Sequence, residues 1–293
     1  MSAETLTLLD EEQWRERQRR HRERVEPWVG PRRRRRSAGV GHPVDDFLFD
    51  YYPYSVGRLT TWHPGHGTTL AGDVREFLAH PAYVSVDSGA TASIDRLEPH
   101  GRRLALAIRL LSRTAQRDPG YGCFGLHEWA MVYRLEPDQV RHASYRLRLG
   151  ADEIADVVDE VGLRCTHIDA YRFFTPAAAP LNAHLPTRDT QHDWEQPGCL
   201  HANMDLYKYA MWFQPFVPGE LVADCFELAR MARELDMRAA PYDLADLGYQ
   251  PIPIETTVGR RDYASQQRGI ADAAASLRAR LLDHLRALES HLP

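Results

Sequence analysis

Residues 192–213, HDWEQPGCLHANMDLYKYAMWF, crowd acids, imidazoles, amides, a thiol and several aromatic rings into one short stretch, which also holds the chain's single lysine. The other 35 basic positions are all arginine, so positive charge alone does not call for lysine here. At Lys208 a compact amine that can lose its proton stands where a planar guanidinium would otherwise be. On a helix starting near Leu200, residues His201, Asp205 and Lys208 fall at i, i+4 and i+7 and share a face. Such a trio offers Asp205 as a general base or a stabiliser of developing positive charge. Lys208 would be a nucleophile or charge partner, and His201 an acid–base group or an orienter. The plainer alternative is a helical Asp–Lys ion pair worth tenths of a kcal/mol.

Around the trio, Glu195 adds a second carboxylate just ahead of the helix. Pro197 and Gly198 supply a turn that would aim the amides of residues 199–201 at an anion. Gln196 and Asn203 offer amide groups to the polar edge of a ligand. Tyr207, Trp212 and, from the aromatic loop YYPYSVGRLTTWHPGHG, Trp62 offer ring faces on which a planar or cationic group stacks.

Metal coordination is the second chemistry these residue types permit. No HExxH, no ExxH and no cysteine-rich spacing is present, so the leading expectation is an enzyme without a cofactor. The alternative is a divalent ion held by His167, Asp169, His192 and His201. His127 and Glu128 lie side by side in the otherwise apolar segment CFGLHEWAMVY, where buried charge demands partners. Neighbours on a helix point about 100° apart. A satisfied core histidine and a structural ion pair are therefore expected there, rather than two ligands of one centre.

These positions need a scaffold, and hydrophobic periodicity predicts a helical one. Asp10 caps a helix with acids in its first turn, which Pro27 and Pro31 end near Val25. Further helices are expected over 71–80, 95–117, 124–134, 151–161 up to Gly162, 201–213, 219–236 and 261–290. Residues 42–67 begin as a short apolar helix and continue as a loop punctuated by Pro53, Gly57, Pro64, Gly65 and Gly67. YVSV at 83–86 reads as a strand, LRCTHIDAYRFF as either a strand or an irregular segment, and 175–191 as a loop. The predicted class is mainly α: a single helical domain over 41–293 with at most a few short strands. An arginine-rich N-terminal helix and arm over 1–40 precedes it.

Charge is distributed unevenly. Residues 15–36 carry eleven arginines against three glutamates, a local charge of +8 on a chain of −5, which leaves −13 for the remainder. A basic arm on an acidic body suits an anionic polymer, and a solvated helix with a flexible basic loop is the blander alternative. No apolar run reaches the roughly 18 residues that span a bilayer, and the N-terminus lacks the order of a signal peptide. Cys123, Cys165, Cys199 and Cys225 lie far apart with no CxxC pair, which points to a reducing cytoplasm.

Four segments carry a family resemblance: HPVDDFLFDYYPYSVGRLTTWHPG, EQPGCLHANMDLYKYA, PGELVADCFELARMARELDMRAAPYDL and PIPIETTVGRRDYASQQR. Together they resemble a bacterial family of actinobacteria and cyanobacteria that carries the label 3-methyladenine DNA glycosylase, over about residues 8–285. The resemblance implies an N-glycosidic bond hydrolase that releases alkylated purines from DNA, or that acts on a nucleobase-containing ligand. Such an enzyme needs an aromatic pocket, a carboxylate to stabilise the sugar cation or place water, and a way to extrude the base. Asp205 or Glu195 suits the carboxylate role, Gln196 the base edge, and a neutral Lys208 could attack the sugar. Two other readings stand beside it: a metal-dependent helical enzyme acting on a small molecule, and a non-catalytic nucleic-acid-binding protein that uses the arm. Oligomeric state is left open.

Overall fold

The structure, a computed structural model, describes residues 7–135 and 145–292. Helices make up 58% of it and β-structure a single small sheet, the mainly α class predicted. Its α-helices are α1 (Glu11–Ser37), α2 (Phe47–Tyr51), α3 (Val56–Thr60), α4 (Arg75–Leu78), α5 (Gly101–Ala115), α6 (Leu126–Ala130), α7 (Ala151–Val161), α8 (Ile168–Tyr171), α9 (Gln191–Trp194), α10 (Leu200–Trp212), α11 (Gly219–Ala239) and α12 (Thr257–Ser290). The strands are β1 (Thr7–Leu9), β2 (Thr68–Leu70), β3 (Tyr83–Val86) and β4 (Gly89–Ala92).

Helix α1 begins where expected: the Asp10 side chain accepts from the Gln13 amide at 2.8 Å, and the Gln13 side chain accepts from the Asp10 amide at 3.1 Å. It does not end at Val25. Pro27 and Pro31 lie four residues apart inside it, and the helix passes through both to Ser37. The two prolines share one side of the helix, and Pro27 is exposed, as is Glu23, whose carbonyl loses its helical donor. On another face Trp14, Gln18, His21, Val25 and Val29 form a buried stripe at helical spacing that holds the rod in place. The basic arm is thus ordered helix. Arg32 pairs with Asp46 at 3.0 Å, Arg35 also pairs with Asp46, and Arg24 reaches Asp224 and Glu227 at 2.7 Å each.

Other boundaries moved as well. The 95–117 helix begins only at Gly101, after two short 3₁₀ turns, and the helices expected over 71–80 and 124–134 shrink to α4 and α6. LRCTHIDAYRFF resolves into an irregular lead followed by α8. Among the described residues no helix is long and apolar enough to cross a membrane.

The chain divides into two compact units. The first comprises residues 1–109, 206–227 and 277–293, the second residues 110–205 and 228–276, and the division falls within α5, α10, α11 and α12. In the first unit the strands lie in the order β1-β2-β4-β3, with β1 parallel to β2 and the other pairs antiparallel. Gly89 opens β4 with φ 139, and a Cβ there would lie 1.8 Å from the Leu70 carbonyl, so only glycine lets β2 and β4 close. Trp14 donates to the Ala71 carbonyl at 2.9 Å and meets Phe77 edge-on, which ties α1 to the sheet end.

His63 is buried beside this sheet with Nδ1 3.1 Å from the Tyr83 hydroxyl. Burial, then the positive potential of His80 and His21, lowers its pKa from 6.5 to about 3. Its folded value lies below its unfolded value, so the unfolded chain takes up the proton first. Stability from this group is complete above about pH 6.5 and drains away as the pH falls toward 3. Thermal unfolding followed across that window should show an acid loss of stability that His63→Asn reduces. An unchanged slope in the variant would assign the acid sensitivity elsewhere.

In the second unit, Trp129 of α6 is fully buried and donates to the Ala239 carbonyl at 2.8 Å, fastening α6 to the end of α11. The turn into α6 is unusual: Phe124, with φ 46, and Gly125, with φ 73, both adopt left-handed backbone. Such strain in a non-glycine residue persists only where the surroundings over-determine it. This turn aims His127 and Glu128 inward.

Candidate metal centre

Five segments of the second unit deliver ionisable side chains to one buried region. Helix α6 brings His127 and Glu128, the irregular lead to α8 brings His167, the end of α9 brings Glu195, α10 brings His201 and Asp205, and α11 brings Arg233 and Asp236. All eight are buried. Helix α10 tolerates this because its first two turns, residues 200–207, are buried on every side, unlike a surface helix with one apolar stripe.

Six of these side chains form two trios, His127 with His201 and Asp236, and His167 with Glu195 and Asp205. Within each trio the potential ligand atoms all lie within 4.8 Å of one another. His127 Nε2 is 2.8 Å from Asp236 Oδ1, and His167 Nε2 is 3.2 Å from Glu195 Oε1 and 3.4 Å from Asp205 Oδ2. None of these approaches has the alignment of a hydrogen bond, and His127 Nε2, Asp236 Oδ1 and both ring nitrogens of His167 are without one. The trios are neighbours: the His201 ring lies 4.6 Å from that of His127 and 5.4 Å from that of His167, centroid to centroid.

Supporting contacts fix several of these groups. Arg233 Nη1 donates to Glu128 Oε1 at 2.8 Å and to Asp236 Oδ2 at 3.2 Å. Gln191 Nε2 donates to Glu195 Oε1, and Arg117 donates to the Glu195 carbonyl at 2.9 Å. The entry to α10 is clamped by Asn203 Nδ2 on the Pro197 carbonyl at 3.0 Å and by Gln267 Nε2 on the Gly198 carbonyl at 2.7 Å. Gly198 is required here, since a Cβ would sit 2.5 Å from the Gly120 carbonyl.

Glu128 and Asp236 share the Arg233 guanidinium while Glu195 and Asp205 flank His167, and carboxylates are expensive in a dry interior unless they are paired. Burial alone would lower both His127 and His167, but Asp236 outweighs it at His127 and raises that imidazole well above its ordinary value. At His167, Glu195 and Asp205 raise the pKa to about 9. Burial would likewise raise Asp236, yet His127 holds it down near 2. His201 goes the other way: burial, reinforced by the charge of His127, pushes it well below 6.5 and keeps its lone pair available. The region draws in positive charge, and protons and metal ions compete for the same lone pairs.

The residues singled out in the sequence fall into three groups. His201, Asp205 and Glu195 belong to the trios, as does His167 from the metal alternative. Asp169 and His192 do not. Asp169 pairs with Arg188 at 3.1 Å, while half-buried His192 lies 3.5 Å from Asp193. His201 and Asp205 are divided between the two trios. Lys208 belongs to the first unit, where its amine lies over the rings of Tyr209 and Trp212 at 5.0 and 5.9 Å.

The residues expected to contact a ligand make defined contacts within the chain. Gln196 spans a loop, accepting from the amides of Gly120 and Gly198 at 2.7 Å each, and Asn203 caps the turn before α10. Trp62 is fully buried with its indole on Glu220 at 2.9 Å, and Tyr207 packs on Tyr52, Tyr54 and Phe226. Half-buried Trp212 carries Arg103 over its ring at 5.3 Å. His127 and Glu128, expected to be structural, meet through Asp236 and Arg233, and His127 is a member of a trio.

Asp236 and Arg233 were not singled out in the sequence. The available signal was their place on the buried stripe Val222, Cys225, Ala229, Ala232 and Arg233, Asp236, where a charged pair interrupts an apolar face. The cysteines hold a second surprise. Cys123, Cys165 and Cys199, widely separated in sequence, line one small cavity of about 20 Å³ together with His127 and His201, room for about one water. Compared with protein-family models, with curated proteins and with solved structures, the chain matches none.

Proposed function

We propose that the protein is a metal-dependent enzyme acting on a small molecule, with the paired histidine–carboxylate trios of the second unit as its reaction centre. One observation carries this reading: two trios of buried imidazole and carboxylate side chains gather their potential ligand atoms within 4.8 Å of one another, with three histidine–carboxylate distances of 2.8–3.4 Å. Edges of that length between ligand atoms suit a first-row ion with bonds near 2.1 Å, and a mixed imidazole–carboxylate set favours zinc, manganese or iron. Such an ion supplies Lewis acidity and lowers the pKa of a bound water. The chain's own part is to hold and orient. Arg233 fixes Asp236, Gln191 fixes Glu195, and the clamped entry to α10 fixes His201.

Protein purified without a histidine tag should lose thermal stability when chelated and regain it on addition of Mn²⁺, Zn²⁺ or Fe²⁺. Mass action gives about 2.7 kcal/mol per site when free metal is a hundredfold above Kd. Superimposable unfolding curves with chelator and with each metal would end the reading.

The resemblance to proteins labelled 3-methyladenine DNA glycosylase supports a second reading, in which Glu195 or Asp205 is the carboxylate of an N-glycosidic hydrolase. Its test is separate: free 3-methyladenine should appear from methylated DNA above a heat-killed control and vanish with Asp205→Asn.

A further inference from the structure

A cleft of about 450 Å³ opens on the surface of the second unit, lined by Tyr121, Phe124, Arg260, Arg261, Ala264 and Arg268 with Gly122 and Thr257. The small cavity at the trios is lined from the same two segments, by Cys123 and by Tyr263 and Gln267. Along 121–124 and 260–268 the side chains therefore alternate between the two spaces. One layer of residues, with Phe124 and Tyr263 in ring contact at 6.5 Å, separates the cleft from His127 and His201. Phe124 is also the strained residue of φ 46.

The lining selects a ligand class. Three arginines and no acid line the cleft, which favours an anion. Arg260 is committed to the Ile254 carbonyl at 3.0 Å and stiffens the wall, while Arg261 and Arg268 are exposed. Arg268 lies 5.0 Å over the Tyr121 ring, a cation–aromatic platform on which a flat ring stacks. Guanidinium forks match the oxygens of a phosphate bidentately.

We infer that this cleft binds the phosphate of a small aromatic phosphomonoester and presents the molecule to the centre behind the Phe124–Tyr263 wall. That the bound molecule is the substrate rests on the metal-dependent reading above; the anion site itself does not.

Calorimetric titration of phenyl phosphate into the full chain, with phenol, benzoate and inorganic phosphate as controls, tests the inference. Phenyl phosphate should bind at least tenfold more tightly than phenol, with affinity falling as salt rises. Arg261→Ala/Arg268→Ala should weaken it at least tenfold while leaving metal content and unfolding temperature unchanged, since both side chains are exposed. Benzoate equal to phenyl phosphate would reassign the anion as a carboxylate and overturn the phosphate assignment. Equal binding by the double variant, or by phenol, would overturn the site altogether. Titrating metal-replete and chelated protein in parallel separates the two proposals: phosphate binding that survives chelation with no metal-dependent stability leaves the cleft standing and removes the centre.

Discussion

His201→Ala is expected to remain folded and to lose at least one of the metal ions bound by the wild type, with any metal-dependent turnover falling at least a hundredfold. His201 is the residue best placed for such an effect. Its ring lies against His127 on one side and His167 on the other, and its low proton affinity leaves a lone pair free for coordination. Loss of outer-sphere support typically costs ten- to a hundredfold in metal affinity, so removal of a direct ligand should cost more. Competition titration with a chromophoric chelator reads the loss directly. His201→Ala protein that binds metal as tightly as wild type would remove the first trio from the centre.

Arg233→Met should produce the largest loss of stability of any single change in the second unit, about 3–5 kcal/mol, seen as a lower urea midpoint. The side chain is 1% exposed and joins Glu128 to Asp236, so removing it leaves two buried carboxylates without their shared cation. Adding Glu128→Gln should recover part of the loss, because one of the abandoned charges goes with it. No recovery in the double variant would mean that the arginine acts by packing, as its buried stem allows, rather than by charge.

The helical class was legible in the sequence because the long helices declare themselves. The 219–236 and 261–290 patterns became α11 and α12 with ends shifted by a few residues, and 151–161 became α7 unchanged. Proline misled at α1, where burial of Trp14, His21, Val25 and Val29 outweighs two missing amide donors on an exposed side. Strands β1, β2 and β4 escaped notice because three or four residues carry too little alternation to register.

The candidate site was half legible. Density of reactive groups in 192–213 pointed to Glu195, His201 and Asp205, but periodicity along one helix grouped them with Lys208, their neighbour in sequence. The other members of the trios come from α6, the lead to α8 and α11, and His127 and Asp236 stand 109 residues apart in the chain. Nothing in linear spacing encodes such convergence. The same holds for Cys123, Cys165 and Cys199 around a single cavity. What the sequence did offer was Asp236 on an apolar stripe, an interior charge that announces a partner before the partner is known.

The most direct test of the metal centre is elemental quantification of the full chain, expressed without a histidine tag, purified without chelator and dialysed against metal-free buffer. The paired trios predict between one and two equivalents of zinc, manganese or iron per chain in the wild type. Asp205→Ala/Asp236→Ala should hold none. Metal at trace level in the wild type, after growth in medium supplemented with all three ions, would contradict the account.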